Sequence, residues 1–270
     1  MRADLMKVSL RQQRLGVAGW AATWCLLLGL YVATWPAIRS NGKKYDDILA
    51  SLPPAMKALI GSGSQSGAFS TAAGYFSAEL LALTGPVLVV AMGLLHGTRA
   101  VAHDEETGAL ELLLAQPVTR AQVLLERFVA ELALILGVLG IAGLAMVALS
   151  PLADVGLGVL AVLRAFLLLA LLSVEALSLG ILLGAVFGRV GRSRAWGGAV
   201  LLVAFLLHAF GPSVTWLSWG EDVSPFALVV GADPFRHGLQ LSTLLTLALP
   251  TLAMVVAATR VFSSRDLRLP

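Results

Sequence analysis

The sequence predicts an all-α membrane protein with six transmembrane helices. Of its 270 residues, 58% are hydrophobic and only 13% are charged, whereas soluble domains contain about 25% charged residues. The apolar residues occur in blocks, and a helix needs about 20 of them to cross a bilayer. We therefore treat residues 1–270 as one transmembrane domain. Six blocks are long enough, at about residues 15–35, 80–102, 129–149, 165–187, 196–216 and 239–260.

Lys and Arg predict how the chain lies across the membrane, because cytoplasmic loops are enriched in them. With a cytoplasmic N-terminus, 13 of the 19 basic residues fall on the inner side. Six spans then place both termini in the cytoplasm, and we expect a multi-pass protein of the plasma (inner) membrane. Because the basic residues are scattered over span ends, the net charge of +3 does not predict nucleic-acid binding.

Residues 1–14 predict an amphipathic helix at the membrane surface. Met1, Leu5 and Val8 fall on one side at helical spacing, and Lys7 falls on another. Such a helix lies in the interface with its basic face toward anionic headgroups. An ordinary basic tail is the alternative.

The third span is expected to begin well before its apolar block. Thr119 is followed three residues later by Gln122, which is the sequence signature of a capping box at a helix N-terminus. One helix is therefore predicted to run from Arg120 through the third span.

The fourth span carries small residues at strict four-residue intervals. Small side chains at this spacing let two membrane helices approach closely. We predict a close helix contact there, with a helix of the same chain or of a partner. The four positions are Ala176, Gly180, Gly184 and Gly188.

Two ionisable side chains lie inside predicted spans, Glu175 in the fourth and His208 in the fifth. An ionised group at the bilayer centre costs about 2.5–3.5 kcal/mol or more, so each needs a partner, a water-filled cavity or neutrality. The two positions have similar predicted depths, and we expect them to meet in a hydrogen bond. Alternatively, a neutral Glu175 bonds a nearby serine or carbonyl and His208 bonds elsewhere.

Motifs of catalytic and metal sites are missing from the sequence. It contains no G-x-x-x-x-G-K-[ST] phosphate loop, no H-E-x-x-H zinc motif and no G-x-S-x-G nucleophile turn. Its single cysteine, Cys25, lies inside the first span. We therefore predict no catalytic, cofactor-binding or metal-binding residues, and we expect any ATP hydrolysis to occur in another polypeptide.

Residues 103–120, HDEETGALELLLAQPVTR, separate the second and third spans on the predicted cytoplasmic side. A helix of about two turns can form between Gly108 and Pro117, with Leu110, Leu113 and Leu114 on one face. It is too short and too polar to span the bilayer. We predict that its leucines insert into a groove of a cytoplasmic partner, although a helix resting in the membrane interface would also bury them.

In these residues the chain resembles the permeases of ABC-2-type transporters. Their first cytoplasmic loop combines acids, a G-T-L-E-x-L-L run, a proline and [ST]-R in a coupling helix that docks on the ATPase. Here Ala109 stands in place of the threonine. The six spans and the long first outer loop are also similar. The resemblance implies ATPase contact by Glu105, Glu106, Gly108, Leu110, Glu111, Leu113, Leu114, Pro117, Thr119 and Arg120.

The resemblance implies the translocation-path subunit of an ATP-driven exporter. Two separate cytoplasmic ATPase subunits would bind ATP and Mg²⁺, and this chain would hold no cofactor. A second permease, identical or related, would complete the path. The expected cargo is amphipathic, such as a drug, an antibiotic or a lipid-like molecule, so multidrug efflux is one expected role.

Two alternatives remain open at this point. A proton-coupled secondary carrier or channel without an ATPase would use Glu175 and His208, but the six spans show no internal repeat of the kind found in many secondary transporters. An ABC-2-like permease that serves protein maturation or signalling would have the same architecture as the exporter.

Overall fold

The computed structural model describes residues 2–53, 56, 69–110, 117–211 and 224–265, without the side chains of residues 2–14. Within these ranges the regular structure is entirely helical. The α-helices are α1 (Arg2–Ser51), α2 (Ala72–Phe76), α3 (Gly85–Glu106), α4 (Arg120–Leu149), α5 (Val159–Phe187), α6 (Val190–Phe210), α7 (Pro225–Gly231) and α8 (Leu241–Ser264). A π-helical segment, Ser77–Thr84, joins α2 to α3, and a short 3-10 turn, Ser150–Ala153, follows α4.

Within the described residues, six helical segments are long and apolar enough to cross a membrane, which confirms the predicted number of spans. Their limits differ from the predicted blocks because hydropathy marks the apolar part of a helix and not its ends. The segments are Leu15–Ser51, Ala72–Glu106, Arg120–Ala153, Val159–Phe187, Val190–Phe210 and Leu241–Ser264.

Helix α1 is 50 residues long, or roughly 75 Å at 1.5 Å per residue. It therefore extends well beyond the roughly 30 Å hydrocarbon core of a bilayer. Residues 2–14 continue its backbone without a break instead of forming a separate helix. Their predicted orientation along the membrane surface stays a prediction, because it depends on side chains outside the described set.

One stripe of α1 attaches this helix to the rest of the bundle. Trp24, Leu28 and Trp35 recur at helical spacing and are 0–3% exposed. Leu26 and Leu30, on the other side, are 75% and 57% exposed. Because one face packs on the bundle and the opposite face is exposed, α1 lies at the periphery of the bundle.

Helix α5 lies at the centre of the bundle and contacts α3, α4, α6 and α8. In its most apolar stretch 67% of the residues are buried, compared with 22% in α1 and 17% in α8. The central position explains why its sequence is apolar on all sides, as expected of a fully surrounded helix.

The ends of five helices meet at one end of the bundle, here named the charged end. It comprises the last residues of α3, α5 and α8 and the first residues of α4 and α6. These helix ends are joined by the ion pairs and hydrogen bonds described below. The segment between α3 and α4, which the sequence predicts to couple to a partner, begins and ends here.

Candidate functional site

Helix α3 ends at Glu106, within the acidic stretch that follows the second span. The N–H of Thr107 still donates to the carbonyl of His103 at 3.0 Å, and Gly108 then takes a φ of +71°. This left-handed conformation favours glycine because it has no Cβ. Gly108 therefore lets the chain leave the helix axis at this point.

Leu110 lies on the inside of the molecule. It is 2% exposed and belongs to the hydrophobic core of the chain. In this conformation Leu110 therefore packs on its own chain, as an apolar face can do as well as on a partner, and its insertion into a partner stays a prediction. Glu111, Leu113 and Leu114 lie outside the described residues, and their docking role stays a prediction.

The other side of the loop carries the predicted helix start. Pro117 and Thr119 are exposed, and α4 begins at Arg120. The Thr119 hydroxyl accepts from the N–H of Gln122 at 3.2 Å, and the Gln122 side chain accepts from the N–H of Thr119 at 3.0 Å. The predicted capping box is confirmed, so the helix that spans the membrane starts directly after the loop.

Glu105 connects the end of α3 to the end of α8. Its carboxylate is 5% exposed and pairs with the guanidinium of Arg265. The same guanidinium donates to the carbonyl of Val186 in α5 at 3.0 Å, and Arg120 donates to the carbonyl of Arg265. Removing one partner of such a buried pair costs about 3–5 kcal/mol, because the other charge stays buried without compensation.

Two further acids of the same stretch contact other helices. The carboxylate of Glu106 accepts from the N–H of Val190, the first residue of α6, at 3.1 Å. An acid at a helix N-terminus is favourable because the free N–H groups carry partial positive charge. Asp104 pairs with Arg127 of α4 at 2.6 Å. Through these acids, α3 is bonded to α4, α6 and α8.

Asp104, Glu105 and Glu106 therefore bind this chain's own helices in this conformation. The predicted ATPase contact of Glu105 and Glu106 stays a prediction. Arg265 is the residue of this site that sequence reasoning missed. The only local indication of its role was its position at the end of the last helix, where a cation interacts favourably with the helix dipole. Its partner Glu105 is 160 residues away in the sequence.

Gly180 and Gly184 form a close contact between α5 and α3 in the same chain, as the small-residue stripe predicted. A Cβ on Gly180 would lie 2.9 Å from the backbone nitrogen of Thr98 and 3.0 Å from the Cα of Gly97. A Cβ on Gly184 would lie 3.7 Å from its nearest neighbours, and Ala176 is fully buried. Of these two glycines, Gly180 is therefore the one at which the two helix backbones approach more closely.

The opposing face of α3 carries two glycines that the sequence analysis did not single out. A Cβ on Gly93 would lie 2.1 Å from the carbonyl oxygen of Ser173, and one on Gly97 would lie 2.2 Å from that of Leu177. Their G-x-x-x-G spacing is the known signal for close helix packing. The hydroxyl of Ser173 also donates to the carbonyl of Val89 at 2.8 Å.

Gly188 has a different role from the rest of the stripe. It lies just beyond α5, with a φ of +60°, and a Cβ there would lie 2.6–2.7 Å from the carboxylate of Glu105. Gly188 therefore ends the helix and leaves room for the Glu105–Arg265 pair. The seam between α5 and α3 ends before it.

Glu175 and His208 lie in α5 and α6, as predicted, but make no hydrogen bond to each other in the described structure. Glu175 Oε2 and His208 Nδ1 are both buried without a hydrogen-bond partner. The predicted pairing is therefore absent in this conformation. The described residues also contain no group of three or more His, Cys, Asp or Glu side chains that could hold a metal ion.

Comparison with known proteins gives one match. The sequence matches the family described as "ABC-2 family transporter protein" over residues 6–267, nearly the whole chain. No curated protein matches it significantly.

Proposed function

The chain belongs to the ABC-2 family of transporter proteins and is a membrane permease of an ABC transporter, and we propose that it is the path-forming subunit of an exporter driven by a separate ATPase. It would lie in the plasma (inner) membrane with both termini and the charged end in the cytoplasm. ATP and Mg²⁺ would be bound by two ATPase subunits. A second copy of this permease or a related chain would complete the translocation path.

The single observation that carries this proposal is the bonding of the α3 end at the charged end. Three consecutive acids, Asp104 to Glu106, contact residues of α4, α8 and α6. The predicted docking segment, residues 111–116, follows directly. A displacement of that segment would therefore act on three other helices at once.

Helices α3 and α5 would move together in this mechanism. They approach so closely at Gly97 and Gly180 that their backbones are in van der Waals contact. Packed interiors rearrange between discrete arrangements and do not deform continuously. We propose that ATPase closure shifts the α3–α5 pair against the peripheral helices, which would open the path alternately to the two sides.

The Glu105–Arg265 pair gives the test of this coupling. The full chain and its ATPase are reconstituted in proteoliposomes, and cargo-stimulated ATP hydrolysis is measured. Glu105→Gln and Arg265→Ala should each lower the stimulation about tenfold, since coupling between two sites is typically about 1–3 kcal/mol and 1.4 kcal/mol corresponds to tenfold. The ATPase should still co-purify.

Two comparisons make the result specific. The double variant should be no worse than Arg265→Ala alone, because both replacements remove the same pair. Arg39→Ala is the matched control: its pair with Asp154 lies elsewhere and is exposed on both sides, and exposed pairs contribute little. Normal stimulation in a well-expressed Arg265→Ala variant would contradict the proposed transmission path.

A further inference from the structure

A cavity of about 590 Å³ opens near the charged end, between α1, α3, α4 and α6. Its volume falls in the range of about 300–1,000 Å³ that is typical of small-molecule sites. Its wall is strongly charged for a membrane bundle, with three arginines, two carboxylates and two histidines. Of the residues that line this cavity, only Asp104 and Arg127 take part in the proposed coupling.

The two carboxylates in this cavity are already paired. Asp104 contacts Arg127 at 2.6 Å. Glu131, which is 5% exposed, contacts Nδ1 of His96 at 2.8 Å. Both carboxylates of the cavity are therefore bonded to other side chains of the same wall.

Two arginines of the wall, Arg99 and Arg194, have no carboxylate partner in the described part of the chain. Arg99 is exposed to the cavity side of α3 and takes part in no ion pair there. Arg194 of α6 uses its Nε to donate to the hydroxyl of Thr98 at 3.4 Å, which holds it beside α3. The terminal nitrogens of Arg194 and the guanidinium of Arg99 are left to face a ligand.

Apolar groups complete the wall. Trp20 of α1 and Leu95 of α3 line the same cavity. Arg99 lies about 10 Å before the end of α3, and Arg194 about 6 Å after the start of α6, at 1.5 Å per residue. Leu95 lies one turn deeper than Arg99, about 6 Å at 1.5 Å per residue, beside the His96–Glu131 pair, so both arginines are nearer the helix ends than this apolar contact.

We propose that this cavity binds the anionic headgroup of an amphiphile from the leaflet at the charged end. Arg99 and Arg194 donate to its phosphate or carboxylate oxygens, and Trp20 and Leu95 contact its apolar part. Guanidinium groups suit this role because they bind such anions through two parallel N–H donors. As a cargo site, it rests on the proposed export function and narrows the cargo to anionic amphiphiles.

Binding is measured on the purified full chain in a neutral detergent, by the shift of its thermal unfolding midpoint. The probes are dioctanoyl phosphatidic acid, dioctanoyl phosphatidylcholine and inorganic phosphate. A ligand at free concentration c that binds the folded state stabilises it by RT ln(1 + c/Kd), so the midpoint rises with the logarithm of the ligand concentration once this exceeds Kd. We expect such a rise with phosphatidic acid and a much smaller one with the other two probes at the same concentrations.

The double variant Arg99→Gln/Arg194→Gln should weaken phosphatidic acid binding about tenfold or more, as expected for lost charge-assisted hydrogen bonds. Arg192→Gln, an exposed arginine of α6 outside the cavity, is the matched control and should bind normally. If the double variant fails to fold, the binding of phosphatidic acid by Arg99→Gln alone tests the inference, because Arg99 makes no ion pair with the described residues that the substitution would break.

Three outcomes would overturn the inference. An equal shift of the unfolding midpoint with phosphatidylcholine would mean that the cavity does not recognise the negative charge of the headgroup. Equal shifts with inorganic phosphate would mean a free-anion site and no headgroup site. Undiminished phosphatidic acid binding in the arginine variants would place the lipid elsewhere. No ATPase is present in this measurement, so a negative result removes this inference alone, whereas normal stimulation in the Arg265→Ala variant contradicts only the proposed transmission path.

Discussion

Replacing Leu113 with aspartate should release the ATPase from the permease while the membrane bundle stays folded. With Leu110 buried in its own chain, the proposed docking would depend on Leu113 and Leu114. Burial of a leucine contributes about 1.5–3 kcal/mol, and each 1.4 kcal/mol corresponds to tenfold in affinity. Leu113→Asp should therefore weaken binding about tenfold to more than a hundredfold, measured by co-purification of the ATPase with a tagged permease.

Leu110→Ala is the matched comparison, since it changes a leucine of the same segment. It should destabilise the bundle by about 2–5 kcal/mol, as expected when a buried leucine is truncated, and lower the thermal midpoint of the permease alone. Retention of the ATPase at full yield by Leu113→Asp would show that the segment is not the docking helix.

Adding a methyl group at Gly97 or Gly180 should severely reduce the yield of folded permease. The new Cβ would lie 2.2 Å from the carbonyl oxygen of Leu177 in the first case and 2.9 Å from the nitrogen of Thr98 in the second. Both neighbours are backbone atoms, so the helices must separate. Overpacking of this kind typically costs about 1–3 kcal/mol and sometimes more. Size-exclusion profiles and thermal midpoints in detergent measure the effect.

Two other glycines serve as controls for this prediction. Gly184→Ala should be mild, because its Cβ would make ordinary contacts at 3.7 Å, whereas Gly184→Leu should disrupt the seam. Gly137→Ala in α4 should be neutral or slightly stabilising, because its Cβ would meet nothing within 4 Å. If Gly97→Ala and Gly137→Ala have equal stability, α3 and α5 do not approach as described.

Hydropathy predicted all six spans because a helix that crosses the bilayer must be mostly apolar, but it could not predict where the helices end. Helix α1 continues to Ser51 through a polar stretch, since backbone hydrogen bonding extends a helix beyond its apolar part. Helix α6 begins at Val190, ahead of the predicted block. Its first turns hold Arg192 and Arg194, which a hydropathy window excludes although arginines are stable near helix ends.

Local features of the site were predictable, and long-range contacts were not. The capping box at Thr119 involves only residues that are close in the sequence, so the local sequence was sufficient to predict it. The Glu105–Arg265 pair depends on the packing of α8 against α3, which no local pattern encodes. The burial of Leu110 in its own chain could not be predicted, because an apolar helix face has the same sequence whether it packs inside or on a partner. The glycines of α3 were visible in the sequence and were overlooked.

Site-specific photo-crosslinking at the loop tests the central claim most directly. Benzoylphenylalanine replaces Leu113 in one variant and Leu110 in another, and each full complex is irradiated in native membranes. We predict a crosslink from position 113 to the ATPase and only intrachain crosslinks from position 110. Crosslinks from position 113 that reach only the permease or lipid, in a complex that still contains the ATPase, would contradict the coupling mechanism.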